Sequence, residues 1–199
     1  MFGAAKFVRD EAEFQKLKQL AQECFQLEHR LPDQVFRPEY RRFFFREGND
    51  LLSEGGWEII QELAHFSNDH EIMVGTLGPD QTINYFSRAG YYSWMILPVE
   101  MSKEEYIDLL WFEPQEGVSS IRFSIGVLIV IPRSKSWAIW VDVAFEFGIL
   151  GITQGFVNAN LVDKLAGWVN ARCAAEWWIR PPDSQIKEAR RAQLIGNYL

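Results

Sequence analysis

What the chain lacks narrows it first. Cysteine is nearly absent: Cys24 and Cys173 stand far apart, and there is no Cys-x-x-Cys pair. That removes a cysteine-based zinc site, and both residues read as buried reduced thiols inside helices. Histidine is limited to His29, His65 and His70. Basic charge is in deficit, with 20 Lys and Arg against 27 Asp and Glu and a net charge of −7. Phosphate contacts need a basic footprint, so nucleic acid is not an expected partner. No apolar run approaches the roughly 20 residues of a membrane-spanning helix. Arg9, Asp10 and Glu11 stand where a signal peptide would carry its apolar stretch. The cytoplasm is the expected location, without membrane contact. Internal repeats and low-complexity segments are also missing.

The motifs that announce common chemistries are absent too. There is no Gly-x-Gly-x-x-Gly, no P-loop with its Lys and no Gly-x-Ser-x-Gly elbow. Gly148, Gly151 and Gly155 follow a strand, but their spacing fits close strand packing better than a phosphate cradle. No cofactor is implied, and nothing in the chain compels an enzyme.

What is present is apolar and aromatic. At 199 residues, 48% hydrophobic and 15% aromatic, the chain suits one domain with a sizeable core. The stretch Ile121 to Gly151 reads as three consecutive antiparallel strands, over Ile121–Ile131, Ser136–Val141 and Phe145–Ile152. In the first, Ile121, Phe123, Ile125, Val127, Ile129 and Ile131 share one face, and the other face turns apolar at Leu128 and Val130. Such a strand reads as central in its sheet.

Before it, apolar spacing predicts a helix from Asp10 to His29 with Asp10 as N-cap. Further helices are expected over Pro38–Arg46, around Phe43-Phe44-Phe45, and over Trp57–Phe66. Strands are expected at Glu71–Leu77, closed by Gly78-Pro79-Asp80, and at Thr82–Phe86 and Tyr91–Val99. Ser102 and Glu105 form a capping box for a helix to Trp111. A long helix over Asn160–Ile179, stopped by Pro181-Pro182, and a terminal helix or loosely docked tail over Asp183–Ile195 complete the chain. The order predicts a single α+β domain: N-terminal helices over about 10–66, a mainly antiparallel sheet over about 71–152 covered on one side, then the long C-terminal helix and tail.

Two constellations could carry function. Glu58, Glu62 and His65 share a helix face at i, i+4 and i+7, and Glu62 to His65 has the Glu-x-x-His spacing of di-iron bundles. A second such pair is missing, so a solvated polar face is the plainer account. Asp69 and His70 could join His65 around a metal, at a spacing unlike that of a metalloprotease helix. The other candidate is the aromatic hairpin. If Trp137, Phe145 and Phe147 pack inward, Trp140, Asp142 and Glu146 lie together outward as a ring beside two carboxylates, a reasonable protein-contact patch. If helices cover both faces, Trp140 is core instead.

Ser136-Trp137-Ala138-Ile139-Trp140-Val141-Asp142, followed by Phe145-Glu146-Phe147-Gly148-Ile149-Leu150, resembles a hairpin found near the end of bacterial toxin-immunity proteins. Val143 stands where those proteins carry an arginine, so no role of that arginine is carried over. The resemblance implies a non-catalytic protein that binds and neutralises a toxin. The acidic charge suits a basic one. The expected function is therefore protein binding, with a small-molecule- or metal-binding protein, or an enzyme whose site forms only in three dimensions, as the alternative.

Overall fold

The structure, a computed structural model, describes residues 6–78, 81–116, 118–124, 126–156, 165, 167–177 and 184–199. Its centre is the expected meander: β4 (Val127–Pro132), β5 (Trp137–Asp142) and β6 (Phe147–Thr153), joined by two tight turns. Each turn places one residue at positive φ, Lys135 at 56° and Glu146 at 59°. Outside β6 lies β1 (Tyr40–Glu47); outside β4 lie β2 (Glu71–Leu77) and then β3 (Trp94–Pro98). The six-stranded order is β1-β6-β5-β4-β2-β3, every pair antiparallel. The fold is α+β, in one domain, with β4 central as its sequence implies.

Helices cover both faces of this sheet, where the sequence suggested one. The reason is visible in β4 and β5, which are buried at every position and so need an apolar layer on each side. On one face Leu128, Val130, Trp137, Ile139, Val141 and Leu150 meet α2 (Gly48–Leu51), α3 (Glu54–Ser67), α5 (Lys103–Trp111) and α6 (Ile121–Ser124). On the other, Ile129, Ile131, Ala138, Trp140 and Ile149 meet α1 (Glu11–Cys24), α7 (Ala171–Trp177) and α8 (Ser184–Tyr198). Two of the three glycines flagged after the hairpin permit close packing. A Cβ on Gly148 would lie 2.1 Å from Leu51 Cδ1, and one on Gly151 2.5 Å from Phe36 Cε1.

Local signals explain the helix ends. Asp10 accepts from the Glu13 N–H at 2.8 Å to open α1. Ser102 and Glu105 form the expected capping box of α5, and Asn68 in the left-handed region closes α3.

Several expected elements differ. The helix expected over Asp10–His29 ends at Cys24, where Phe25 turns to extended backbone. Pro38–Arg46 is not helical: Tyr40–Glu47 forms strand β1. A strand divides the phenylalanine triplet between the layers, Phe44 against one core and Phe43 and Phe45 against the other. Thr82–Phe86 belongs to α4 (Gln81–Ala89), whose turn brings buried Tyr85 and half-buried Ala89 to one side. Ile121–Ser124 is the single turn α6 rather than the start of β4, so Ile121 is buried while Phe123, two residues on, is 69% exposed. A strand would have put both on one face. The third strand also starts late, because Phe145 and Glu146 form its turn.

The last segment is docked. The Tyr198 hydroxyl donates to Asp33 O at 2.8 Å and accepts from the Val35 N–H at 3.0 Å. Of the helix expected over Asn160–Ile179, Ala171–Trp177 is helical, Leu165 and 167–170 are not, and the rest lies outside the described residues with Pro181-Pro182. Pro79 and Asp80 also lie outside them. Single bridges, Phe7 to Met95 and Val169 to Phe45, meet the outer strands β3 and β1.

Candidate binding faces

The hairpin residues expected at a contact patch are not on a surface together. Trp140 is 0% exposed and Asp142 3%, while Glu146 alone is exposed. The second face of the hairpin is roofed by α1, the loop after it, α7 and α8, so Trp140 packs against Phe25 at 5.4 Å and beneath the Arg30 guanidinium at 5.7 Å. Its indole N–H has no acceptor at hydrogen-bond distance among the described residues, but lies close enough to favour the Asp142 carboxylate. Asp142 accepts from the N–H groups of Ala144 at 3.1 Å and Phe145 at 3.2 Å and so shapes the β5–β6 turn. Burial pushes its carboxyl pKa up against the opposing pull of those bonds, Arg30 and Trp140.

Glu58, Glu62 and His65 do share the outer side of α3, and all three are exposed. Glu58 is an ion-pair partner of Lys103 at 3.2 Å, alongside Glu54 at 3.3 Å. Among the described residues no group of three His, Cys, Asp or Glu could hold a metal. Asp69 is committed elsewhere: it accepts from Ser134 N at 2.8 Å and Ser134 Oγ at 2.7 Å, pinning the β4–β5 turn. Burial raises the Cys24 thiol to about 11, and Cys173, expected to be buried, is exposed on α7.

Two other faces carry more. The first joins α5 to α6. Trp111 is 47% exposed and Phe123 69%, and their rings meet edge to face at 5.1 Å. In the segment that carries them, from Glu100 to Ser124, exposed Glu100, Glu104, Glu105, Asp108, Glu113 and Glu116 outnumber Lys103 and Arg122, a net charge of −4 out of −7 for the whole chain. Both cations are engaged, Lys103 with Glu54 and Glu58, and Arg122 with Asn49 Oδ1 at 3.0 Å. The signal was available in the sequence: Glu104, Asp108 and Trp111 recur at i, i+4 and i+7, which puts a large ring on the polar stripe of the helix.

The second face is a groove of about 560 Å³ between α1, the loop after α1 and the ends of β2 and β3. Its apolar lining includes Phe14, Leu27, Leu77, Tyr92 and Trp94. Phe14 stacks on Tyr92 at 3.9 Å, and Trp94 meets Phe14 edge-on at 5.3 Å. The polar lining is Glu11, Gln15, Lys18, Glu28 and Arg30.

No protein-family model, curated protein or solved structure matches this chain. No described helix is long and apolar enough to cross a membrane.

Proposed function

We propose that this chain is a non-catalytic protein-binding module, and that its partner presents a basic surface to the acidic face around Trp111 and Phe123. The observation that carries the reading is that exposed ring pair. Two large aromatics held against each other in water lose apolar burial that a partner would restore. Tryptophan at the centre of a contact, with polar groups at its rim, is the usual composition of a binding hot spot. The surrounding carboxylates would speed encounter with a cationic partner and set its orientation. The hairpin's likeness to toxin-immunity proteins supports a basic bacterial toxin as that partner and the cytoplasm as the place of binding.

The test is to recover the partner from lysate of the source cells and then measure its affinity for Trp111→Ala/Phe123→Ala and Glu104→Lys/Asp108→Lys. The ring variant is expected to weaken binding by a hundredfold or more, about 2.7 kcal/mol or more. The charge variant is expected to slow association and reduce its salt dependence. Unchanged unfolding midpoints would show both variants folded. Wild-type affinity in both would exclude this face, and self-association lost in the ring variant would make the partner a second copy of the chain. The groove beside α1 favours a second reading, in which the chain also holds a small molecule.

A further inference from the structure

We infer that the corner between Trp111 and Phe123 receives an arginine side chain of the protein partner, an inference that rests on the protein-binding reading of this face. The ring geometry comes first. The two rings stand at 83° with centroids 5.1 Å apart, so indole and phenyl present π faces at right angles to one another. A ring face carries the negative end of its quadrupole, and a cation set into such a corner meets two of them at once. Trp111 and Phe123 are both exposed, so an incoming side chain can reach them from solvent. Among the described residues no cation lies over either ring; the guanidinium contacts with rings are those of Arg9 on Tyr91 and Arg30 on Trp140. Arg122, the chain neighbour of Phe123, donates instead to Asn49 Oδ1 at 3.0 Å.

The carboxylates on α5 explain why the cation is an arginine. Asp108 stands three residues before Trp111, one turn back on the same side of the helix, and Glu104 stands a further turn back. Both are exposed, and neither makes a hydrogen bond or ion pair to a described residue. Glu105 is committed to the helix cap, accepting from the Ser102 N–H at 3.1 Å. Lys103, on the same helix, is held by Glu54 at 3.3 Å and Glu58 at 3.2 Å. The face therefore offers a π corner with an unspent carboxylate one turn away. A guanidinium is planar, so it can lie flat on a ring while the N–H groups at its edge fork onto a carboxylate. A lysine ammonium is a compact, strongly hydrated charge with no plane to stack. A purely apolar side chain would cover Asp108 without pairing it, which costs free energy.

The test titrates the full chain with a capped Gly-Arg-Gly-Arg-Gly peptide and with its lysine and citrulline counterparts, read by amide and indole NMR. The arginine peptide is expected to shift the Phe123 amide and the Trp111 indole resonance, identified as the one missing from Trp111→Leu. The lysine peptide should bind about threefold or more weakly, and the citrulline peptide, which keeps the plane without the charge, about tenfold or more weakly. Trp111→Leu keeps an apolar side chain but removes the π face. Followed at the Phe123 amide, it should weaken the arginine peptide about three- to fivefold, the size of an exposed cation–π contact. Asp108→Asn should weaken it about two- to fivefold. Both positions are exposed, so both variants should keep wild-type unfolding midpoints. Equal affinity for the arginine and lysine peptides, wild-type affinity in Asp108→Asn, or no Trp111 shift at millimolar peptide would overturn the inference. A partner lost by Trp111→Ala/Phe123→Ala yet fully kept by Trp111→Leu would also overturn it, while leaving the protein-binding face in place. Wild-type partner affinity in the double ring variant would remove the face and the inference together.

Discussion

Trp140→Ala separates two accounts of the hairpin. If Trp140 were a surface ring, its removal would abolish partner binding and leave the domain folded. The structure requires the reverse order of effects. Trp140 is 0% exposed, sits 5.4 Å from the Phe25 ring and lies under the Arg30 guanidinium. Truncating a fully buried tryptophan to alanine removes its transfer free energy and leaves a cavity, typically 3–5 kcal/mol together. That is about a fifth or more of the stability of an ordinary domain. With a urea m-value of about 2.5 kcal/mol/M, a loss of about 4 kcal/mol lowers the unfolding midpoint by about 1.6 M. Urea titration followed by far-UV circular dichroism measures this, with Trp111→Ala as the exposed comparison, expected to move by no more than about 0.5 kcal/mol. A Trp140→Ala midpoint within about 0.2 M of wild type would refute the burial argument. Loss of partner binding in the same variant would then return the hairpin to the interface.

Two further outcomes follow from the turns beside that residue. Burial raises the Asp142 pKa in the folded state. A raised pKa means its contribution to stability is fully present below the unfolded value near 3.8 and is lost as pH rises through the folded value. Asp142→Asn, whose amide oxygen can still accept from Ala144 and Phe145, should therefore gain on wild type as pH rises from 4 to 7. Unfolding at several pH values checks the sign, and a gap that narrows with pH would refute it. Glu146 is exposed at a φ of 59°, a region that disfavours a side chain. Glu146→Gly is expected to raise stability by about 0.5–1 kcal/mol, read as a higher melting temperature; a lower one would contradict it.

The parts of the fold legible in the sequence were those where one local signal decided the matter. The β4–β6 meander followed from alternation and two turn-forming stretches, and α5 from its capping box. The errors fell where neighbours decided. Phe43-Phe44-Phe45 has no period of two, because an edge strand between two helical layers finds an apolar neighbour on either side. The alternation Ile121, Phe123, Ile125 continued into β4 with nothing to mark that Ile121 turns inward and Phe123 outward. The hairpin's face was the harder matter. Which side of Trp140 is roofed depends on α1, α7 and α8, whose docking rests on contacts such as Tyr198 with Asp33 and Val35, more than 160 residues apart. No spacing rule spans that distance. The acidic ring on α5 was readable from its stripe, whereas the groove, built from α1 and two strand ends, was not.

The place of β1 at the margin of the sheet has a consequence for the protein's birth. Among the described strands it pairs with β6, and about 100 residues separate Glu47 from Phe147. A ribosome adding roughly 5–20 residues per second needs about 5–20 s to cover that gap. Throughout it the nascent chain displays Phe43, Phe44 and Phe45 without the strand that will hold them, whereas β2 has β3 within some twenty residues. Arg41, Arg42 and Arg46, flanking the rings, supply the charge that keeps so exposed a segment from pairing with another copy of itself while it waits.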